Sequence, residues 1–189
     1  MSLEKTINLV KNILECNEIN LQDPNFKDTP TRAGKFFHQF LKGYSEAELK
    51  EVFKSSFPSS LNDMTIIKNI PAYSLCPHHL ANVSMRVWIG YIPKGKVLGL
   101  SKFRRVIKIL TQKPYLQEEF TEVLADTINK YLEPDGVMVV VTGAHMCMRM
   151  RGIEQPDAEV TTSAVRGNFN LHETRAEFLQ LIGVKSGTL

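Results

Sequence analysis

The stretch Ser74-Leu75-Cys76-Pro77-His78-His79-Leu80 puts one thiol and two imidazoles into four consecutive positions. A smaller cluster answers it far down the chain: His145-Met146-Cys147, followed by Arg149 and Arg151. If the two serve one purpose, any fold must bring these distant segments together. Cys76-x-x-His79 has the spacing at which two ligands grip one ion from a single turn. A thiolate and a neutral imidazole suit zinc, with bonds of about 2.3 Å and about 2.0–2.1 Å. Two ligands hold zinc weakly, so a third is needed. Cys147 is the best candidate. Cys16 lies in an amphipathic helix, where it is expected to pack as a small apolar group. Three protein ligands leave the fourth position for water, which is the open arrangement of a catalytic zinc. The competing interpretation makes Cys76 and Cys147 core thiols and the histidines satisfied polar residues. Against it stand His78, which adjoins a ligand, and His145, two positions from another. Residues 146–153 read as a strand, and in a strand His145 and Cys147 would face one side. His78 and His145 could then carry protons near neutral pH.

A chain of 189 residues suits one domain with a proper core, or one domain and a small helical appendage. No apolar run approaches the length needed to cross a bilayer. The first sixteen residues have neither a signal-peptide core nor the look of a transit peptide. A cytoplasmic protein, with no membrane partner, is expected. Three cysteines form an odd, sparse set that argues against a disulfide framework. The net charge of +3 is too mild to argue for nucleic acid, and none is expected as a partner.

Helical periodicity predicts helices at 3–16, from Asp28-Thr29-Pro30 to Gly43, and from a Ser45/Glu48 capping box to about Phe53. In the second, Asp28 is the expected cap, and Ala33, Phe36, Phe37, Phe40 and Leu41 share one face. Residues 55–62 read as a polar linker. Strands are expected at 64–70 and 83–92, then a helix capped by Ser101 through about Leu110 and another over 115–132. Strands follow at 137–143, about 146–153 and about 159–165. A last helix, about 171–182, carries Leu171, Phe178 and Ile182 on one face. Strands joined by short turns pair antiparallel, with helices over one face. The class is α+β, with an N-terminal helical region at 1–62 and a catalytic domain at 63–189.

These residues, in this order, resemble GTP cyclohydrolase I. The likeness runs through Asp28-Thr29-Pro30-Thr31-Arg32, Cys76-x-His78-His79, Gly90-Tyr91-Ile92-Pro93 and Gly99-Leu100-Ser101-Lys102 with Arg105. It continues through Leu116-Gln117-Glu118 with Thr121, His145-x-Cys147 with Arg151-Gly152, and Thr161-Thr162-Ser163. It implies a tunnelling fold, in which subunits join their antiparallel sheets into a barrel. It also implies a homodecamer of two face-to-face pentameric rings, with active sites between subunits. The implied reaction hydrolyses GTP at C8, releases formate and rebuilds the rings as 7,8-dihydroneopterin triphosphate. Zinc would be held by Cys76, His79 and Cys147. The alternatives are a related tunnelling-fold enzyme acting on another pterin or deazaguanine, and a binding module with a closed structural zinc.

By the same resemblance, His78 is the acid/base nearest the C8 step, and His145 assists or orients from the other side. Glu118 accepts the adjacent N1–H and 2-amino donors of guanine, with Gln117 beside it. Taken alone, Gln117-Glu118-Glu119 reads as a solvated helix face. Ser101, Lys102, Arg105, Arg151 and Arg32 would receive the triphosphate, helped by the free N–H groups where a helix opens. Arg104, Arg149 and Lys108 rank below them. One departure stands out: the family usually has Glu where this chain has Pro77. The long N-terminal extension of many members has no counterpart, so regulation through it is not expected.

Overall fold

The computed structural model describes residues 2–183. Helix α1 (Leu3–Cys16) packs on α2 (Thr29–Leu41) through Thr6 and Val10, while Leu9 and Ile13 stay exposed. The buried face of α2 is Pro30, Gly34 and Phe40. Phe36, expected on that face, is 43% exposed. Cys16 is exposed too, so it does not pack as a small core group. Asp28 precedes α2 but makes no cap hydrogen bond. Its carboxylate instead reaches Arg32 one turn on, at 3.2 Å. The helix is followed by Gly43 at φ +77°, the left-handed conformation a glycine adopts without strain.

Helix α3 (Glu46–Phe53) begins with the expected box: Ser45 Oγ accepts from Glu48 N at 3.3 Å, and Ser45 N donates to the Glu48 carboxylate at 2.7 Å. The stretch expected as a linker instead contains β1 (Ser56–Pro58), which pairs antiparallel with β4 (Lys96–Leu98). Both strands have only three residues, too short to show a period of two.

The main sheet has four antiparallel strands in the order β2 (Thr65–Leu75), β3 (Asn82–Ile92), β5 (Gly136–His145) and β6 (Val160–Gly167). Alternation along β3 sends Val83, Met85, Val87, Ile89 and Tyr91 to one face, all at most 4% exposed. Against them lie α3, α4 (Leu100–Leu110) and α5 (Gln117–Leu132), through Leu49, Phe53, Phe103, Val106, Leu110, Phe120 and Leu124. Arg166 clamps β6 to α5, with Nε on Asp126 at 2.7 Å and a terminal nitrogen on Glu122 at 2.5 Å.

The other face is smaller. Met138 and Val140 meet Phe169 and Phe178 there, from the 3₁₀ turn Asn168–Asn170 and α7 (His172–Ile182). Phe178 is fully buried, but Leu171 precedes α7 and is 57% exposed. The sheet is therefore covered on one face by three helices and at part of the other by α7. Strands β2 and β6 form its two open edges. None of the described helices is long and apolar enough to cross a membrane.

Candidate active site

Strand β2 runs five residues past its expected end, to Leu75. A tight turn then carries the chain into β3. Cys76 N donates to Ala81 O and Leu80 N donates to Cys76 O, each at 2.8 Å, with Leu80 at φ +51°. Neither bond needs an N–H at position 77, so Pro77 costs the turn nothing. The turn holds Cys76 inside, at 5% exposure, and leaves His78 and His79 exposed.

The second cluster arrives from β5. Val83 of β3 pairs with His145, the last residue of β5. The chain does not continue as a strand at 146–153. It closes into α6 (Met146–Arg149), a single turn in which Met150 N donates to Met146 O at 3.0 Å. Unbranched Met and Arg accept a helical turn readily. His145 and Cys147 are thus not paired by strand geometry. The turn instead sets Cys147 beside Cys76.

Cys76, His79 and Cys147 bring their ligand atoms within 4.8 Å of one another. Cys76 Sγ is 3.9 Å from His79 Nδ1. Tetrahedral bonds of about 2.3 Å to sulfur and about 2.0 Å to nitrogen put ligand atoms roughly 3.5–3.8 Å apart. The Cys76–His79 pair needs only a few tenths of an ångström of tightening, and the soft donors of the triad suit a borderline-soft divalent ion. Burial, and then the hydrogen bond with Cys76, push the Cys147 thiol above its ordinary pKa, while the charge of Arg151 opposes the shift. Arg151 therefore lies near the triad. Arg149 is engaged elsewhere, with Nε donating to Ala158 O at 3.1 Å.

A polar cluster built on Gln117 lies at the same end of β5. Gln117 is 4% exposed. Its Nε2 faces Val141 O at 3.1 Å, Val160 O at 2.8 Å and Thr162 Oγ1 at 3.2 Å. Two of these are carbonyls that only accept, so the amide orientation is forced. Its Oε1 then faces His145 Nε2 at 2.8 Å, and the ring must donate there. Gln117 is thus spent inside the fold, not standing free beside Glu118. Thr121 Oγ1 donates to Gln117 O at 2.7 Å and lies 2.6 Å from Thr162 Oγ1. Gly143 makes room: a Cβ there would lie 2.2 Å from Gln117 Oε1. Residue spacing gave no signal for this supporting layer.

Burial lowers the pKa of His145, and the Glu118 carboxylate pulls it back up. Glu118 is exposed in the first turn of α5 and close enough for its charge to be felt at the imidazole. The neutral ring, with its proton on Nε2, leaves Nδ1 as a base.

The remaining candidates lie apart from the triad in the chain. Ser101 is exposed in the first turn of α4 and does not cap it; Gly99 takes that position without a side-chain bond. Lys102 is half-buried, and its N–H donates to Gly99 O at 2.8 Å. Arg105 lines a cavity that includes no triad residue. Arg32 is exposed on α2, paired with Asp28.

The GTP cyclohydrolase I family model matches residues 6–183. A GTP cyclohydrolase 1 of Campylobacter curvus is 44% identical over 180 residues, covering 93% of each chain. One from Halalkalibacterium halodurans is 41% identical over 181 residues, covering 95% of this chain and 96% of its own. Among solved structures, an archaeosine synthase QueF-like protein in its apo form covers 55% of this chain and 93% of its own, with 24% identity and a TM-score of 0.44. Sequence identity at this level over nearly the whole length, together with a thiol–imidazole–thiol triad closed by distant segments, has one consequence. The chain belongs to the GTP cyclohydrolase I family.

Proposed function

We propose that the protein is a zinc-dependent GTP cyclohydrolase I, converting GTP and water to formate and 7,8-dihydroneopterin triphosphate. The observation that carries this reading is the convergence of Cys76, His79 and Cys147 near a half-buried His145, in a chain matched to the family from residue 6 to residue 183. Zinc is the ion the donor set favours; bound by the triad, it supplies a Lewis acid for attack of water on purine C8.

The side chains do the rest. Glu118 accepts N1–H and the 2-amino group of guanine together, and an adenine would leave that acceptor unpaired. His78, exposed on the ligand turn, gives and takes protons at the imidazole nitrogens of the purine as the bonds to C8 break. His145 acts from the other side, with Gln117 holding its ring so that Nδ1 is the free base. Lys102, Arg105, Arg151 and Arg32 neutralise the triphosphate, and Ser101 bonds the ribose or first phosphate.

Lys102 and Arg105 lie on α4 and Arg32 on α2, while Arg151 follows the triad's Cys147 beyond the end of β5. That division supports a site completed between copies of the chain. The open edges β2 and β6 support a homo-oligomer in which sheets continue from one subunit to the next, and a decamer of two pentameric rings is the assembly we assign. The test is a metal-replete assay with GTP, reading formate and, after oxidation, a fluorescent pteridine. Wild type should produce both, and His78→Ala should lose both while retaining zinc. Intact GTP after zinc loading would contradict the reading.

A further inference from the structure

Residues 150–159 join α6 to β6, and little holds them. Every residue from 150 to 157 is exposed, Met150 at 70% and Ile153 at 66%, so no buried side chain anchors the segment. Its backbone bonds are few. Glu154 N donates to Arg151 O and Ala158 N to Gln155 O, each at 3.3 Å, and Gln155 N reaches back to Met148 O at 3.0 Å. The chain turns through left-handed conformations at Gly152 (φ +65°) and Glu154 (φ +52°). A surface segment of this length without a packed face takes many arrangements unless something ties it.

Arg149 ties it. This last residue of α6 donates from Nε to Ala158 O at 3.1 Å, nine positions on, and a terminal nitrogen lies 3.7 Å from the Glu159 carboxylate. A guanidinium suits the task, because its planar fork can meet a carbonyl and a carboxylate together. A charge-assisted bond of this kind is about twice as strong as a neutral one. Arg151 lies inside the clasped segment, two positions past Arg149. Its charge is felt at the Cys147 thiol. Among the described residues it stands in no ion pair. Yet Glu154 and Asp157 sit exposed on the same segment, three and six positions on. In a loose segment these carboxylates can reach Arg151 and neutralise it; in the clasped one they do not.

We infer that Arg149 is a positioning residue for triphosphate binding: by clasping residues 150–159 shut, it holds Arg151 near the metal triad with its charge uncompensated. Arg149 itself touches no substrate and acts through Arg151. The inference rests on the reading that Arg151 receives the triphosphate.

The experiment uses the full-length, zinc-loaded protein, titrated calorimetrically with 8-oxo-GTP. C8 of this nucleotide already bears oxygen, so no formate can leave and binding is read without turnover. Arg149→Met should weaken binding by roughly three- to tenfold, the worth of one charge-assisted bond that holds a competent state. Zinc content should stay as in wild type. Arg151→Met should weaken binding too, and the double variant should be no weaker than Arg151→Met alone, because one residue acts through the other. Hydrogen exchange without nucleotide should speed up at the amides of Gln155 and Ala158 in Arg149→Met and stay unchanged along β5. Arg149→Lys keeps the charge but not the fork, so it should fall between wild type and Arg149→Met. It carries the test if Arg149→Met does not fold. Five results would overturn the proposal: unchanged affinity in the Arg149 variants, unchanged exchange at the two amides, losses that multiply in the double variant, loss of zinc from Arg149→Met, or a wild type that does not bind the nucleotide. Loss of zinc would make Arg149 a support of Cys147 instead. A wild type that binds 8-oxo-GTP and shows the clasp, yet leaves GTP intact, would fault the reaction and not the clasp.

Discussion

Gln117 Oε1 faces His145 Nε2 at 2.8 Å, and the contact fixes which ring nitrogen carries the proton. The amide cannot turn over, because its Nε2 already faces the carbonyls of Val141 and Val160. Gln117→Leu removes the amide's contacts with both carbonyls and leaves the imidazole without this acceptor. The expected cost is about 2–3 kcal/mol of stability, read as a lower denaturation midpoint. The kcat should fall with zinc content intact.

Gly143→Ala attacks the same bond without touching any polar group. The new methyl would lie 2.2 Å from Gln117 Oε1, so the amide must move. The expected result is a loss of kcat larger than any change in the KM for GTP, because the substrate-binding side chains are untouched. Steady-state kinetics on metal-replete protein checks it. Unchanged kcat would show that the orientation of His145 does not matter.

Glu118→Gln should act on purine recognition. A carboxylate accepting two adjacent donors is worth about 1.5–3 kcal/mol. The variant is expected to lose roughly 10- to 100-fold in kcat/KM for GTP. Its loss with ITP, which lacks the 2-amino group, should be smaller. Equal losses with the two nucleotides would remove Glu118 from that role.

The cap of α3 gives a pH test. Hydrogen bonds from the Ser45 backbone and side chain lower the Glu48 pKa in the folded protein. A depressed folded pKa means that the contribution is fully present above the ordinary carboxyl value. It is lost as pH falls through the folded one. Glu48 is exposed, so the effect is small, a few tenths of a kcal/mol up to about 1 kcal/mol. Glu48→Gln should be less stable than wild type at neutral pH, and the gap should close as pH falls below the ordinary carboxyl range, by chemical denaturation.

Much of this was legible in the residues themselves. The helix at Leu3–Cys16 and the Ser45/Glu48 box follow from local periodicity and capping chemistry. Cys76, His79 and Cys147 stood out because thiols and imidazoles are few and clustered. What was not legible depended on contacts across the fold. Ser56–Pro58 is a strand only because Lys96–Leu98 lies beside it. Met146–Arg149, expected within a strand, turns instead and delivers Cys147. Gln117 looked like a surface residue because its neighbours Glu118 and Glu119 are; three acceptors from β5 and β6 draw it inside.

Metal analysis of purified protein tests the central claim most directly. After equilibration with zinc and removal of excess, wild type should retain one ion per chain, and Cys76→Ser and Cys147→Ser should each lose it while keeping the circular dichroism of the fold. A wild type that retains no zinc, or a Cys147→Ser variant that retains it fully, would contradict a site built by these two distant segments.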